Sequence, residues 1–259
     1  MRAMTTAALT ILLAASASGA AAQGDFSWRG RIQSGRSIEI KGINGDIQAV
    51  AASGNEVRVS ATKSADRSDP DEVKIEVVEH DAGVTICAVY PARRGRDPNE
   101  CRPGGRNGQN VQDNDVKVEF RVEVPAGVRL VARNVNGDVG VTSLASDVQA
   151  WTVNGDVDIS TSGIAEANTV NGSITASIGR SDWSGSLEFE TVNGSIELEV
   201  TGQLNTEVHA STVNGGISTD FPLTIQGRFG PKRLNGTVGS GGRTLSLSTV
   251  NGEIELRKR

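Results

Sequence analysis

The sequence predicts an all-β fold: a right-handed β-helix-like solenoid with a more sheet-like N-terminal part. Three observations predict it. A tetrapeptide ending in Asn-Gly recurs along the chain. Hydrophobic residues alternate with period two on either side of it and change phase across it. The third is composition: 259 residues hold only one Tyr, three Trp and five Phe, against 31 Gly. A core so poor in aromatics has to be built from small and β-branched side chains. Gly and Pro together stay below the ~25–30% of low-complexity chains, and the 22% of charged residues are of both signs, as in a folded chain.

Residues 1–22 read as a signal peptide. Arg2 supplies the positive start, Met4 to Ala15 is a short apolar run, and Ala20-Ala21-Ala22 is a small-residue cleavage site before Gln23. The run is shorter than the ~20 residues that span a bilayer. With no Cys after it, a lipid anchor is not expected. The expectation is an exported protein of the periplasm or cell envelope, with no transmembrane segment after cleavage.

Residues 23–131 read as an N-terminal β region. Ile38, Ile40 and Ile47 alternate, as do Val57, Val59 and Ala61, then Val73, Ile75 and Val77. The cleanest strand carries Val116, Val118, Phe120, Val122 and Val124 and stops at Pro125. Cys87 and Cys101 flank an Arg-rich stretch. A disulfide is expected rather than a redox pair, because the spacing is not Cys-x-x-Cys. It would pin a solvated, mobile loop spanning 91–115.

Residues 132–259 read as the repeat solenoid. The corner Asn residues are Asn136, Asn154, Asn171, Asn193, Asn214, Asn235 and Asn251, and Asn44 begins the series earlier. From Asn136 the steps are 18, 17, 22, 21, 21 and 16 residues, a period typical of stacked repeats. Leu187, Phe189 and Thr191 share one parity, whereas Ile196, Leu198 and Val200 share the other. A corner that shifts phase by one residue keeps the apolar face inside. Asn-Gly between alternating runs also marks a β-hairpin, so a meander is the alternative. The identity of the repeat favours stacking: equivalent residues recur at the ~4.8 Å strand spacing, where inward Asn and Thr can form ladders.

These units, Val-Asn-Gly-[Asp/Ser]-[Ile/Val], together with Gly42-Ile43-Asn44-Gly45 and the Pro125-Ala126-Gly127-Val128 turn, resemble the bacterial putative-adhesin family over roughly residues 35–257. The resemblance implies an exported, envelope-associated, non-catalytic β-solenoid of unknown function. It carries over no catalytic residue. Since Arg259 follows the last repeat directly, with no translocator or sorting signal, surface display is not expected.

The chemistry-bearing residues point the same way. Two His and two Cys are too few for most zinc, haem or iron–sulfur sites, and a net charge of −5 opposes nucleic-acid binding. No catalytic, cofactor-binding or metal-ligating residue is assigned. Asp46, Asp138 and Asp156 follow corners but match no calcium-binding repeat, so they read as solvated turn residues. His209 points outward and His80 precedes a turn. Trp151 takes outward parity. The expected role is structural or adhesin-like, with an envelope protein or glycan as partner. The alternative is a binding module for anionic glycan or lipid headgroups through Arg93, Arg94 and Arg96, since the guanidinium fork suits carboxylate and phosphate. A polysaccharide-active enzyme is the third reading, with outward Glu188, Glu190, Glu197 and Glu199 as its acids.

Overall fold

The computed structural model describes residues 26–105, 109–111, 113–200, 204–223, 225–226 and 231–259. The signal-peptide reading of residues 1–22, and Arg106 of the loop, lie outside the described residues. Two long sheets face each other. The chain crosses from one to the other at each Asn-Gly corner, so each crossing makes one rung of two strands.

The rungs follow from the alternation. The Asn154 rung joins Val148–Trp151 to Val157–Thr161. The Asn171 rung joins Ala165–Asn168 to Ile174–Ile178, and the Asn193 rung joins Ser186–Glu190 to Ile196–Val200. These strands pair in parallel with their neighbours in both sheets. Parallel pairing across consecutive corners rejects the hairpin meander, which would make neighbours antiparallel. Register stacks like on like: Val139, Val157, Ile174 and Ile196 follow one another up one sheet, all fully buried.

The solenoid begins earlier than residue 132. Ser37–Lys41 and Ile47–Ala51 form the Asn44 rung. It pairs in parallel with the Asn136 rung, Arg129–Arg133 and Val139–Leu144. The strand Arg129–Arg133 therefore spans the boundary drawn at 131/132, and one core cluster runs through both regions. On the other side of the Asn44 rung sits a rung made of Gly83–Val89 and Lys117–Val124. Here the 91–115 loop takes the place of the short Asn-Gly corner.

Rung order is not chain order. The last rung, Thr244–Asn251 with Ile254–Lys258, lies between the Asn193 rung and the Asn214 rung, which is formed by Thr206–Asn214 and Ile217–Thr219. Antiparallel strands cover the ends. Lys74–His80 lies on Gly83–Val89, and Val57–Ser64 on Lys117–Val124, with Phe26–Gly30 outside it. At the far end Lys232–Val238 lies on Thr206–Asn214. Uncovered ends would leave unpaired strand edges.

Asn235 is a correction. It lies within the strand Lys232–Val238, opposite His209, and marks no corner. Its Asn-Gly lacks the Thr-Val that precedes the repeat copies from Asn154 on.

Candidate functional site

The corners form a continuous ridge. The Thr of each Thr-Val-Asn-Gly is buried. Its hydroxyl donates to the carbonyl of the corner Gly on a neighbouring rung: Thr152 to Gly137 at 3.0 Å, Thr169 to Gly155 at 2.9 Å, Thr191 to Gly172 at 2.8 Å and Thr249 to Gly194 at 2.8 Å. Thr therefore ties rung to rung through the backbone, rather than laddering with other Thr.

Asn forms the ladder, but at the surface, not inside as the alternation suggested. The Nδ2 of Asn136 donates to Oδ1 of Asn44, and Asn154 donates to Asn136, Asn171 to Asn154 and Asn193 to Asn171. Asn251 then donates to Asn193, and Asn214 to Asn251, all at 2.7–2.8 Å. The amide has a donor and an acceptor on opposite corners, so a single residue type can extend the chain indefinitely. Between Thr and Asn, Val points outward. Val153, Val170 and Val250 are 39% exposed and Val213 is 43% exposed. The sequence pattern left this stripe unread, because period two breaks at the corner.

The residue after Gly forms a third ladder. Oδ1 of Asp46 accepts from the Asp138 N–H, Asp138 from Asp156, and Asp156 from Ser173. Ser173 accepts from Ser195, and Ser195 from Glu253. These Asp residues therefore satisfy backbone donors on the next rung and are more than solvated turn residues. Beside them the Asp158 carboxyl is pushed up, first by burial and then by Asp156 and Asp138. Among the described residues no three His, Cys, Asp or Glu side chains gather as a metal site.

Stacking also sets the glycine requirement. A Cβ on Gly194 would lie 1.9 Å from the Gly172 carbonyl oxygen, although Gly194 has no left-handed φ. Close approach of adjacent rungs, not turn conformation, demands glycine there.

The Arg-rich loop meets the end of the ridge. Asn44 Nδ2 donates to the Val116 carbonyl at 3.4 Å, which also accepts the Tyr90 hydroxyl at 2.7 Å. Burial pushes the Tyr90 phenol up to about 12. Cys87 and Cys101 form the disulfide. Most of the described loop is exposed, but residues 101–104 pack against the body of the protein. They cover Glu39 and Lys41, which are only 5% and 3% exposed. The Glu39 carboxylate accepts from the Thr85 hydroxyl at 2.8 Å, the Gly104 N–H at 2.9 Å and Arg133 Nε at 2.9 Å. Lys41 Nζ donates to the carbonyls of Arg102 and Gly104, and burial lowers its affinity for a proton while Glu39 opposes that. His80, half-buried, meets the Thr85 hydroxyl at 3.0 Å. The sequence hid this network because Glu39 and Lys41 alternate with Ile38 and Ile40 as surface residues would.

Arg93, Arg94 and Arg96 are exposed, and among the described residues none forms an ion pair. They lie on the loop and take no part in the Glu39 hydrogen bonds. Trp151 is half-buried, with the Arg133 guanidinium stacked 4.0 Å from its ring centre. His209 is exposed and meets Asn235 Oδ1 at 2.8 Å. Glu188 and Glu190 lie on one sheet and Glu197 and Glu199 on the other, so the four acids do not converge.

No curated protein matches the chain. Among solved structures, a putative cell adhesion protein from Clostridium sporogenes is 10% identical, with a TM-score of 0.46, over 90% of this chain and 99% of that one. A putative adhesin from Bacteroides fragilis is 11% identical with a TM-score of 0.31, over 89% of this chain and 96% of that one. Residues 136–257, from the Asn136 corner through the inserted last rung, match the Toastrack DUF4097 family model.

Proposed function

We propose that this protein is an exported, non-catalytic interaction protein of the bacterial cell envelope. In this reading residues 1–22 direct export, the antiparallel strands Phe26–Gly30, Val57–Ser64 and Lys74–His80 cap the N-terminal end of the stack, the disulfide-pinned loop joins its first rung, and the corners from Asn44 onward present the repeat surface. The observation that carries it is the outer ridge: an unbroken hydrogen-bonded Asn ladder, flanked by exposed Val153, Val170, Val250 and Val213 and by half-buried Val135 and Val192. A rigid, periodic, linear surface suits adhesion-like contact with an extended envelope partner. It holds no convergent acid, base or nucleophile among the described residues.

Cosedimentation of the mature chain with isolated cell envelopes tests this. Val153→Thr, Val170→Thr and Val250→Thr combined should leave the fold intact and lower the bound fraction severalfold. Equal binding would remove the ridge from the function. A second reading rests on the free guanidinium groups of Arg93, Arg94 and Arg96. If their replacement by Ala abolishes binding while the Val variant does not, the loop holds an anionic glycan or lipid headgroup.

A further inference from the structure

A cluster of arginines elsewhere has no role in either reading. It lies on the outer face of the N-terminal cap, where Phe26–Gly30, Val57–Ser64 and Lys117–Val124 lie side by side. Register places Arg29 directly opposite Arg58, and Arg58 opposite Glu123. In the next outward row Ser27 faces Ser60, and Ser60 faces Arg121. These six side chains line an open depression of about 600 Å³.

The charge here is unbalanced. Arg58 Nη1 lies 3.5 Å from Glu123 Oε2. Arg29 and Arg121 form no ion pair among the described residues, and both are exposed. The nearby Arg31–Glu56 pair at 3.6 Å is neutral within itself. Three guanidinium groups therefore share one carboxylate. Like charges directly opposite in an antiparallel pair are destabilising, so Arg29 and Arg58 weaken the sheet unless an anion lies between them. Arginine forks hold oxyanions in bidentate fashion, and Ser27 and Ser60 add hydroxyl donors. Glu123, the one anionic acceptor in the depression, is placed to take a hydrogen bond from a hydroxyl next to the bound anion.

We propose that this face is a binding site for an anionic saccharide, whose carboxylate or phosphate group sits among Arg29, Arg58 and Arg121 while a neighbouring hydroxyl donates to Glu123. A ligand that is both anionic and hydroxyl-rich uses every group in the two rows. A lipid surface does not fit as well, because the apolar residues lining the depression are half-buried Trp28 and buried Val59, and Glu123 stands where an anionic bilayer would repel it. The site is independent of the Val–Asn ridge and of the Arg93 loop.

Titration of the mature protein with polygalacturonate, followed by calorimetry, tests the proposal. Binding should weaken as salt rises. Arg29→Gln with Arg121→Gln should raise Kd at least tenfold, whereas Arg93→Gln, Arg94→Gln and Arg96→Gln together should leave it unchanged. Glu123→Met separates saccharide from simple anion binding: it should weaken polygalacturonate yet strengthen inorganic phosphate, since it removes the acceptor and a negative charge at once. Thermal melts guard against misfolding, and Arg29→Gln should hold or raise Tm by removing the like-charge pair. Undiminished binding by the Arg29/Arg121 variant would overturn the proposal. So would phosphatidylglycerol vesicles binding where polygalacturonate does not, or no binding by either.

Discussion

The amide of Asn251 donates to Asn193 at 2.7 Å across 58 residues of chain, and Asn214 donates in turn to Asn251 across 37. The final corner thus completes the ladder from inside the stack. The chain builds the Asn193 rung, then the Asn214 rung with its antiparallel cover, and only afterwards fills the space between them.

This order makes the last sixteen residues a structural keystone. Leu245, Leu247, Ile254 and Leu256 are fully buried in the inserted rung. At ~1.5–3 kcal/mol per buried side chain they contribute about 6–12 kcal/mol, comparable to the whole stability of a typical domain. Deleting residues 244–259 should abolish cooperative unfolding of the C-terminal half and expose strand edges on both sides of the gap. Hydrogen exchange checks it: amides of 186–200 and 206–219 should lose protection while those of 37–51 retain it. Retained protection at 206–219 would contradict the keystone role.

Rung shape was legible in the sequence, and rung order was not. The phase flip at Asn193 places Leu187, Phe189, Ile196 and Leu198 inside, as they are. Neighbour choice is a different matter. Each rung from Asn154 onward offers the same backbone ladder and the same Asn, Thr and Gly residues, so Asn193 is as able to receive Asn251 as Asn214. The network beneath the loop was hidden for a related reason. Nothing local distinguishes Glu39 and Lys41 from solvent-facing strand residues. Only the disulfide, reaching across from Cys87, brings residues 101–104 over them.

An interior ladder residue should matter more than a terminal one. Asn171 both donates to Asn154 and accepts from Asn193, whereas Asn214 donates to Asn251 at the end of the series. At ~0.5–1.5 kcal/mol per net hydrogen bond, Asn171→Ala should cost about 1–3 kcal/mol and Asn214→Ala roughly half of that. Urea unfolding midpoints compare them, and equal losses would mean that the exposed ladder contributes little.

Glycine at a stacked corner should be irreplaceable. In Gly194→Ala the new methyl would meet the Gly172 carbonyl oxygen at 1.9 Å, forcing two rungs apart. Overpacking of this kind costs about 1–3 kcal/mol and sometimes more. Gly54→Ala is the control, since nothing lies within 4 Å of its added methyl and its φ is not left-handed. The same unfolding assay should find it near neutral.

Reduction should release the loop. Cys87 and Cys101 are 14 residues apart, and closing a loop of that size contributes about 3 kcal/mol on the chain-entropy model. Their bond also holds Gly104 on Glu39 at 2.9 Å. Cys87→Ser with Cys101→Ser should lower stability by about that amount and open the loop to trypsin at Arg93, Arg94 and Arg96. Unchanged cleavage would mean that the Glu39 and Lys41 contacts alone hold the loop.

The acid beside the ridge should act against stability at neutral pH. The Asp158 carboxyl is held above its ordinary value, by burial first and then by Asp156 and Asp138, with a Thr175 hydrogen bond in partial opposition. A raised carboxyl favours the protonated folded form. Its contribution is complete below the ordinary carboxylate range near 3.9 and is lost as pH rises through the raised folded value. Above that raised value the wild type has lost it. Asp158→Asn never acquires the charge, yet its side chain can still accept from Thr175. The variant should melt at a higher temperature than wild type at pH 7, and the difference should close as pH falls below about 4. A gap that stays constant with pH would locate the effect in packing rather than in charge. A lower melting temperature at pH 7 would show that ionised Asp158 stabilises the corner.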